Sequence, residues 1–161
     1  MASWIRTILI LPFNVVVVIP SLILYFSKTP VQLNTTPFIT LGAVFLILGL
    51  SLAAWTMCLF ATIGKGTAAP WNPPKNLVVK GPYCHVRNPM ITSVLMMLIA
   101  LYFILNAWQI LAWCALFFLI NSIYFPLFEE KDLEKRFGKE YIEYKNNVPR
   151  WLPRLTKWQQ K

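Results

Sequence analysis

Residues 90–128 read MITSVLMMLIALYFILNAWQILAWCALFFLINSIYFPLF, and Asn106 is the only polar residue at the junction of the two apolar runs within them. A break that short predicts a tight helical hairpin with antiparallel arms. The second arm, 107–128, meets the length of about 20 apolar residues needed to cross a bilayer core. The first, 90–105, is shorter and reaches only about 24 Å at 1.5 Å per residue. The residues just before Met90 are therefore expected at headgroup depth or slightly inside. Arg87 lies ahead of the hairpin, and Glu129 and Glu130 follow it directly. The hairpin carries these three residues to one membrane surface. An acid pair at a lipid boundary is costly unless its charges find partners. Those partners are either Arg87 and Lys131, or a cationic ligand bound against a carboxylate wall. Successive helical residues point about 100° apart, so only one of the two glutamates is expected to face such a site fully.

Two further apolar runs lie upstream, at about 5–26, with Pro12 and Pro20, and at about 38–63, with no charge at all. The prolines predict a kink in the first. Over all 161 residues, 57% are hydrophobic, 13% are charged and mean hydropathy is +0.56. Soluble domains run nearer about 25% charged, so an ordinary soluble enzyme, a disordered chain and a collagen-like repeat are excluded. The expected fold is an all-α integral membrane protein forming one domain over 1–161, with four transmembrane helices. A 64–89 loop and a C-terminal helical tail, 129–161, complete it. The first run has no small-residue cleavage site after it and reads as a retained helix.

Charge sets the expected orientation. All six acids lie from Glu129 onward, and the net charge is +9. Lys65, Lys75, Lys80 and Arg87 crowd the 64–89 loop, nine cations follow residue 128, and the 27–37 segment carries only Lys28. Cytoplasmic loops are the cation-rich ones. Both termini and the 64–89 loop are thus expected on the cytoplasmic side of a multi-pass protein. The positive balance reads as topology and anionic lipid rather than nucleic acid.

The 64–89 loop holds Pro70, Pro73, Pro74, Pro82, Pro89, Gly64, Gly66, Gly81 and the only histidine, His85. It cannot be one helix, and its length invites a functional role. In the tail, Leu133, Phe137, Tyr141, Tyr144 and Val148 share a helical face, and Gly138 is placed to divide that helix. Trp151 and Trp158, near Arg150, Arg154 and Lys157, suit a headgroup-level anchor. Several chemistries are absent. Gly64-Lys65-Gly66-Thr67 lacks phosphate-loop spacing, and neither GxGxxG nor HExxH occurs. Cys58, Cys84 and Cys114 give no disulfide framework and no metal spacing, so no metal is expected. A lone histidine such as His85 is more often structural than catalytic.

The stretch Leu77-Val78-Val79-Lys80-Gly81-Pro82-Tyr83-Cys84-His85-Val86-Arg87-Asn88-Pro89-Met90 resembles the cofactor motif of the isoprenylcysteine carboxyl methyltransferase family and its bacterial relatives. So do Glu129-Glu130, Leu133, Phe137-Gly138-Lys139-Glu140-Tyr141, Tyr144 and Val148-Pro149-Arg150-Trp151-Leu152-Pro153. The resemblance covers about residues 75–155 and is also similar to the phospholipid N-methyltransferases. It implies an integral membrane methyltransferase that uses S-adenosyl-L-methionine without a Rossmann domain. Carried over, it implies that Lys75, Asn76, Leu77 and Val78 line the adenosine and that Gly81, Tyr83 and His85 belong to the cofactor site. Asn88, Pro89, Met90 and Ile91 occupy the family's Arg-His-Pro-x-Tyr motif. Glu129 or Glu130 would bind the methionine ammonium, and Arg87 and Glu130 would carry the chemistry. Asn88 stands where His is common and Ile91 where Tyr is common. The segment 123–128 holds no cation where the eukaryotic enzymes place an arginine.

The implied activity is O-methylation of a lipophilic carboxylate of isoprenylcysteine type. A carboxylate is already anionic and needs no base, whereas an amine must first lose a proton. The alternatives are a phospholipid or amine N-methyltransferase and a non-catalytic membrane scaffold. The expected partners are a lipophilic or prenylated substrate and membrane lipids, with no nucleic acid.

Overall fold

The computed structural model describes residues 9–28, 32–66 and 73–159. The expected start of the first apolar run at Ile5, with Arg6, Thr67 and Pro70, lies outside them. Among the described residues all regular structure is helical, with no strand. Helix α1 joins a π-helical stretch, Leu9–Val18, to an α-helical one, Ile19–Phe26. Helix α2 is Thr36–Leu59, closed by a π-turn at Phe60–Gly64. A 3-10 turn, Gly81–Cys84, precedes α3, Pro89–Leu105. Helix α4 is Trp108–Tyr124, followed by a π-turn at Phe125–Glu129. The polar pieces are α5, Glu130–Phe137, and α6, Lys139–Asn147.

The hairpin is as tight as its sequence predicts. Only Asn106 and Ala107 separate α3 from α4, and Asn106 takes the left-handed conformation at φ 50° that ends a helix in one residue. Its N–H returns to the Tyr102 carbonyl. Helices α2 and α3 approach closely because α2 presents Gly42, Gly49, Ala53 and Thr56, all buried. Small residues let helix backbones come together where packing rather than hydrophobic exclusion drives association. A Cβ on Gly42 would lie 2.7 Å from Ile104 Cγ1 and 2.9 Å from the Ala100 carbonyl oxygen. Helix α1 is tied on from the other side. Pro20 offers no N–H to the turn before it, and the Val15 carbonyl accepts the indole N–H of Trp113 at 3.1 Å.

Two helical rods, Thr36–Gly64 and Trp108–Phe137, are long and apolar enough to cross a membrane, while Pro12–Phe26 and Pro89–Leu105 are shorter apolar helices. Their outer faces remain apolar, with Ile47 63% and Ile123 61% exposed. Large exposed apolar faces of this kind mark contact with lipid or partners.

The tail departs from the expected layout at one end. The helix does not restart after residue 128. It runs through the π-turn containing Pro126 into α5, so the apolar arm and its polar extension are one rod. Gly138, at φ 55° and ψ −128°, divides α5 from α6 as its position predicts. The second, smaller core then gathers Tyr141, Tyr144 and Val148 with Leu133, Phe137, Leu77, Val79 and Trp158. Trp158 is packed on Tyr144 at 5.7 Å between ring centroids, and Trp151 on Phe118 at 5.0 Å. Both rings are half-buried within the protein. The last described residues strap back across the loop. Arg87 N–H donates to the Pro149 carbonyl (2.9 Å), Arg154 N–H to that of His85 (3.0 Å), and Trp158 N–H to that of Cys84 (3.2 Å).

Candidate functional site

Arg87 and Asn88 end the irregular segment that leads into α3. Pro89 occupies the first turn of α3, where its missing N–H costs nothing. Asn88 takes the N-cap position, but its side chain makes no capping bond, and its buried Nδ2 has no hydrogen-bond partner. Arg87 reaches across to the α4–α5 rod, where Nη1 donates to Glu130 Oε1 at 2.8 Å. Its Nε is also buried without a partner. The hairpin thus brings Arg87 and the acid pair together, as the sequence predicts.

The two glutamates divide as helical geometry requires, one toward open space and one away from it. Glu130 is 2% exposed and points away from open space into a cluster of cations. Arg150 Nε donates to Glu130 Oε1 at 2.7 Å, the oxygen that also receives Arg87, and Lys145 Nζ lies 3.2 Å from Oε2. Burial alone would push the Glu130 carboxyl up. The hydrogen bond from Arg150 and the charge of Arg87, with Lys145, outweigh burial and hold it below the ordinary 4.5. Glu129 instead lines a cavity of about 640 Å³. Its carboxyl is pushed up by burial and by the neighbouring Asp132, against the opposing pull of Arg136.

That cavity is amphipathic. Arg87, Asn88, Glu129, Asp132 and Arg136 form its charged end, or mouth, and Val15, Ala53, Val94 and Phe117, one from each apolar helix, wall its apolar end, or throat. Phe117 sits twelve residues before Glu129, which places it about 18 Å deeper along the helical rod. Along α5, Arg136 pairs with Asp132 one turn away at 3.6 Å, and across the mouth its Nη2 donates to the Pro74 carbonyl of the facing loop. Tyr83 forms another part of the wall, with Phe60 edge-on at 5.6 Å. Burial, then the nearby Tyr144 and Glu129, push the Tyr83 phenol far up, so it stays neutral. Tyr144 donates to the Tyr83 carbonyl at 2.8 Å and fixes this turn against α6.

Of the remaining residues named from sequence, Asn76, Leu77, Val78, Met90 and Ile91 line the cavity. Asn76 is held there by Nδ2 donating to the Ile63 carbonyl at 2.9 Å. Lys75, Gly81, His85, Pro89 and Glu130 are absent from the wall. Lys75 is exposed and contributes its N–H to the Gly64 carbonyl. Gly81, at φ 58°, lets the chain turn against the Trp55 ring. Pro89 is buried in the first turn of α3, and the His85 ring sits with Nδ1 2.9 Å from the Arg154 carbonyl. Arg150 and Lys145 converge on Glu130, and the sequence reading assigned neither to the site. Arg150 stands in the second half of the tail motif, whereas nothing in the sequence singled out Lys145. Among the described residues no group of three or more His, Cys, Asp or Glu side chains could hold a metal ion.

Compared with known proteins, the chain matches the family model described as phospholipid methyltransferase over residues 37–140. No curated protein and no solved structure matches it. The matched residues run from α2 to the start of α6 and include the loop, the hairpin, Arg87 and both glutamates, so that most of the cavity wall lies within them. The chain belongs to the phospholipid methyltransferase family.

Proposed function

We propose that this protein transfers a methyl group from S-adenosylmethionine to the head group of a lipophilic molecule that reaches the cavity from the bilayer. The observation that carries the reading is one continuous cavity with a charged mouth and an apolar throat. In the same reading all four apolar helices cross the membrane, and the mouth opens to the cytoplasm together with both termini.

The polar wall fits the cofactor's methionine end. Glu129, on the wall, is a carboxylate for the ammonium, joined by charge-assisted hydrogen bonds. Arg87 Nε and Asn88 Nδ2 are buried donors left without partners on wall residues, and a carboxylate is the acceptor they lack. Asn76, Leu77 and Val78 offer the face for the adenosine. When bound, the cofactor supplies a methyl group made electrophilic by its sulfonium. The protein's own contribution is alignment and exclusion of water. The neutral ring of Tyr83 can face a cation without adding charge.

The family's description favours a phospholipid acceptor, methylated on nitrogen. Such an amine must shed a proton, and Glu129 and Asp132 are the carboxylates on the wall that can take it. The second reading is the isoprenylcysteine-type carboxylate, which needs no base. It is favoured by the position of His85, whose ring is engaged at the Arg154 carbonyl away from the wall.

Purified protein, incubated with methyl-labelled cofactor and a lipid extract, tests all of this. Label that alkali releases as volatile methanol identifies an ester, and label that stays non-volatile, in the lipid or in its water-soluble deacylated head group, identifies the amine. Absence of both transfer and calorimetric cofactor binding overturns the enzyme reading and leaves a membrane scaffold.

A further inference from the structure

Glu130 receives more positive charge than it can balance. Arg87, Arg150 and Lys145 all converge on its carboxylate, and only Lys145 has a second acid, Glu134, at 2.7 Å. Arg87 and Arg150 share one oxygen, Oε1, at 2.8 and 2.7 Å. The residue beside Arg150 acts on Arg87 as well, because the Pro149 carbonyl accepts the Arg87 backbone N–H at 2.9 Å. Two consecutive tail residues therefore hold both the main chain and, through Glu130, the side chain of a residue on the cavity wall. Both lie beyond residue 140, where the family match ends.

We propose that Arg150 is a positioning residue for the cavity: by fixing Glu130 Oε1 it sets the angle at which Arg87 presents its unpartnered Nε to a bound anion. Arg150 itself does not line the cavity. Two guanidinium groups on one oxygen constrain each other, since each N–H must approach in the plane of the carboxylate to keep its bond. Removing Arg150 frees Glu130 to rotate toward Arg87 and accept from it in a fork. That fork draws Nε away from the wall. A lysine at 150 keeps a charge near Glu130 but approaches as a point donor without the planar constraint.

For its binding readout, this inference rests on the cofactor reading above; a second readout does not. Phenylglyoxal modification of Arg87, followed by peptide mass spectrometry on the full chain in detergent, reports the freedom of that guanidinium directly. Arg150→Ala is expected to change the rate of Arg87 modification several-fold. Arg154→Ala, which removes a tail arginine bonded to the Asn147 carbonyl and Thr156 instead, is expected to leave it unchanged. Arg150→Ala is further expected to weaken S-adenosylmethionine binding about tenfold, with Arg150→Lys intermediate and no added loss in an Arg87→Ala background. An unchanged Arg87 rate in both Arg150→Ala and Arg150→Lys overturns the proposal. So does a loss of cofactor affinity that is fully additive with Arg87→Ala. If wild-type protein binds no cofactor while Arg150→Ala still alters the Arg87 rate, the enzyme reading is overturned and this one stands.

Discussion

The adjacent acids Glu129 and Glu130 have the same chemistry and opposite situations. Glu130 is enclosed by cations, while Glu129 meets the cavity. Their substitutions should therefore separate. Glu129→Gln is expected to lower cofactor affinity about tenfold to a hundredfold, the weight of a charge-assisted hydrogen bond, with little change in thermal unfolding. Because burial raises the Glu129 carboxyl, the charged form that holds an ammonium is lost as pH falls through that raised value. Calorimetric affinity in the wild type should thus decline on acidification before ordinary carboxylates titrate, and Glu129→Gln should lose that limb. Glu130→Gln keeps an acceptor oxygen but removes the buried negative charge shared by the partly buried Arg87, Arg150 and Lys145, and should destabilise the fold by about 3 kcal/mol. Its pH signature runs the other way. A carboxyl held below 4.5 in the fold stabilises above the unfolded value and loses that contribution as pH falls through the folded one. Glu130→Gln should flatten acid unfolding below about pH 4.5, read by thermal scans in detergent. The encounter of Arg87 with this pair was legible in the sequence, because a short hairpin leaves its flanks no other place to go. Which glutamate turns inward was not, since the azimuth of a residue depends on the π-turn at Phe125–Glu129, whose extra residue rotates everything after it.

At the scale of helices, the hairpin, the apolar runs and the break at Gly138 were all readable from local rules. Asn106 can adopt the left-handed turn, apolar length measures membrane thickness, and glycine accepts a dihedral pair that other residues avoid. The intimate pairing of α2 with α3 was not readable. Glycines seven residues apart in an apolar run acquire meaning only when a partner is known. Gly49→Ile tests that pairing, because a Cβ there would lie 2.9 Å from Met97 Cγ and 3.0 Å from the Ser93 carbonyl oxygen. Met97 can yield, but the backbone oxygen cannot without moving α3. The substitution should destabilise by about 1–3 kcal/mol, seen as a lower Tm in detergent, and Gly49→Ala should cost less. The tail strap also escaped the sequence reading. Its bonds run between backbone groups of residues 84–87 and 149–158, and backbone pairing of two irregular segments leaves no pattern in side chains.

For the molecule as a whole, charge and grease are arranged along one axis, with the titrating groups at one end of the cavity and aliphatic and aromatic walls at the other. In the proposed function, the water-soluble cofactor and the lipid-soluble acceptor approach a common point from opposite ends. Narrowing the throat should affect only one of them. Ala53→Phe is expected to raise the KM for the lipid acceptor about tenfold while cofactor affinity stays at the wild-type value. Equal losses for both ligands would mean that the two ends are not separate compartments. The two-residue turn at Asn106 and Ala107 has a consequence for how such a machine can move. It joins α3 and α4 at the end remote from the chemistry, like the closed end of a pair of tweezers. The tips, which bear Arg87 and Glu129, can flex but cannot slide past one another. Opening along the facing side, where the proline-bearing segment at 73–78 meets the rod, would have to break the bond from Arg136 to the Pro74 carbonyl and draw Leu77 out of the small core it shares with Leu133 and Phe137.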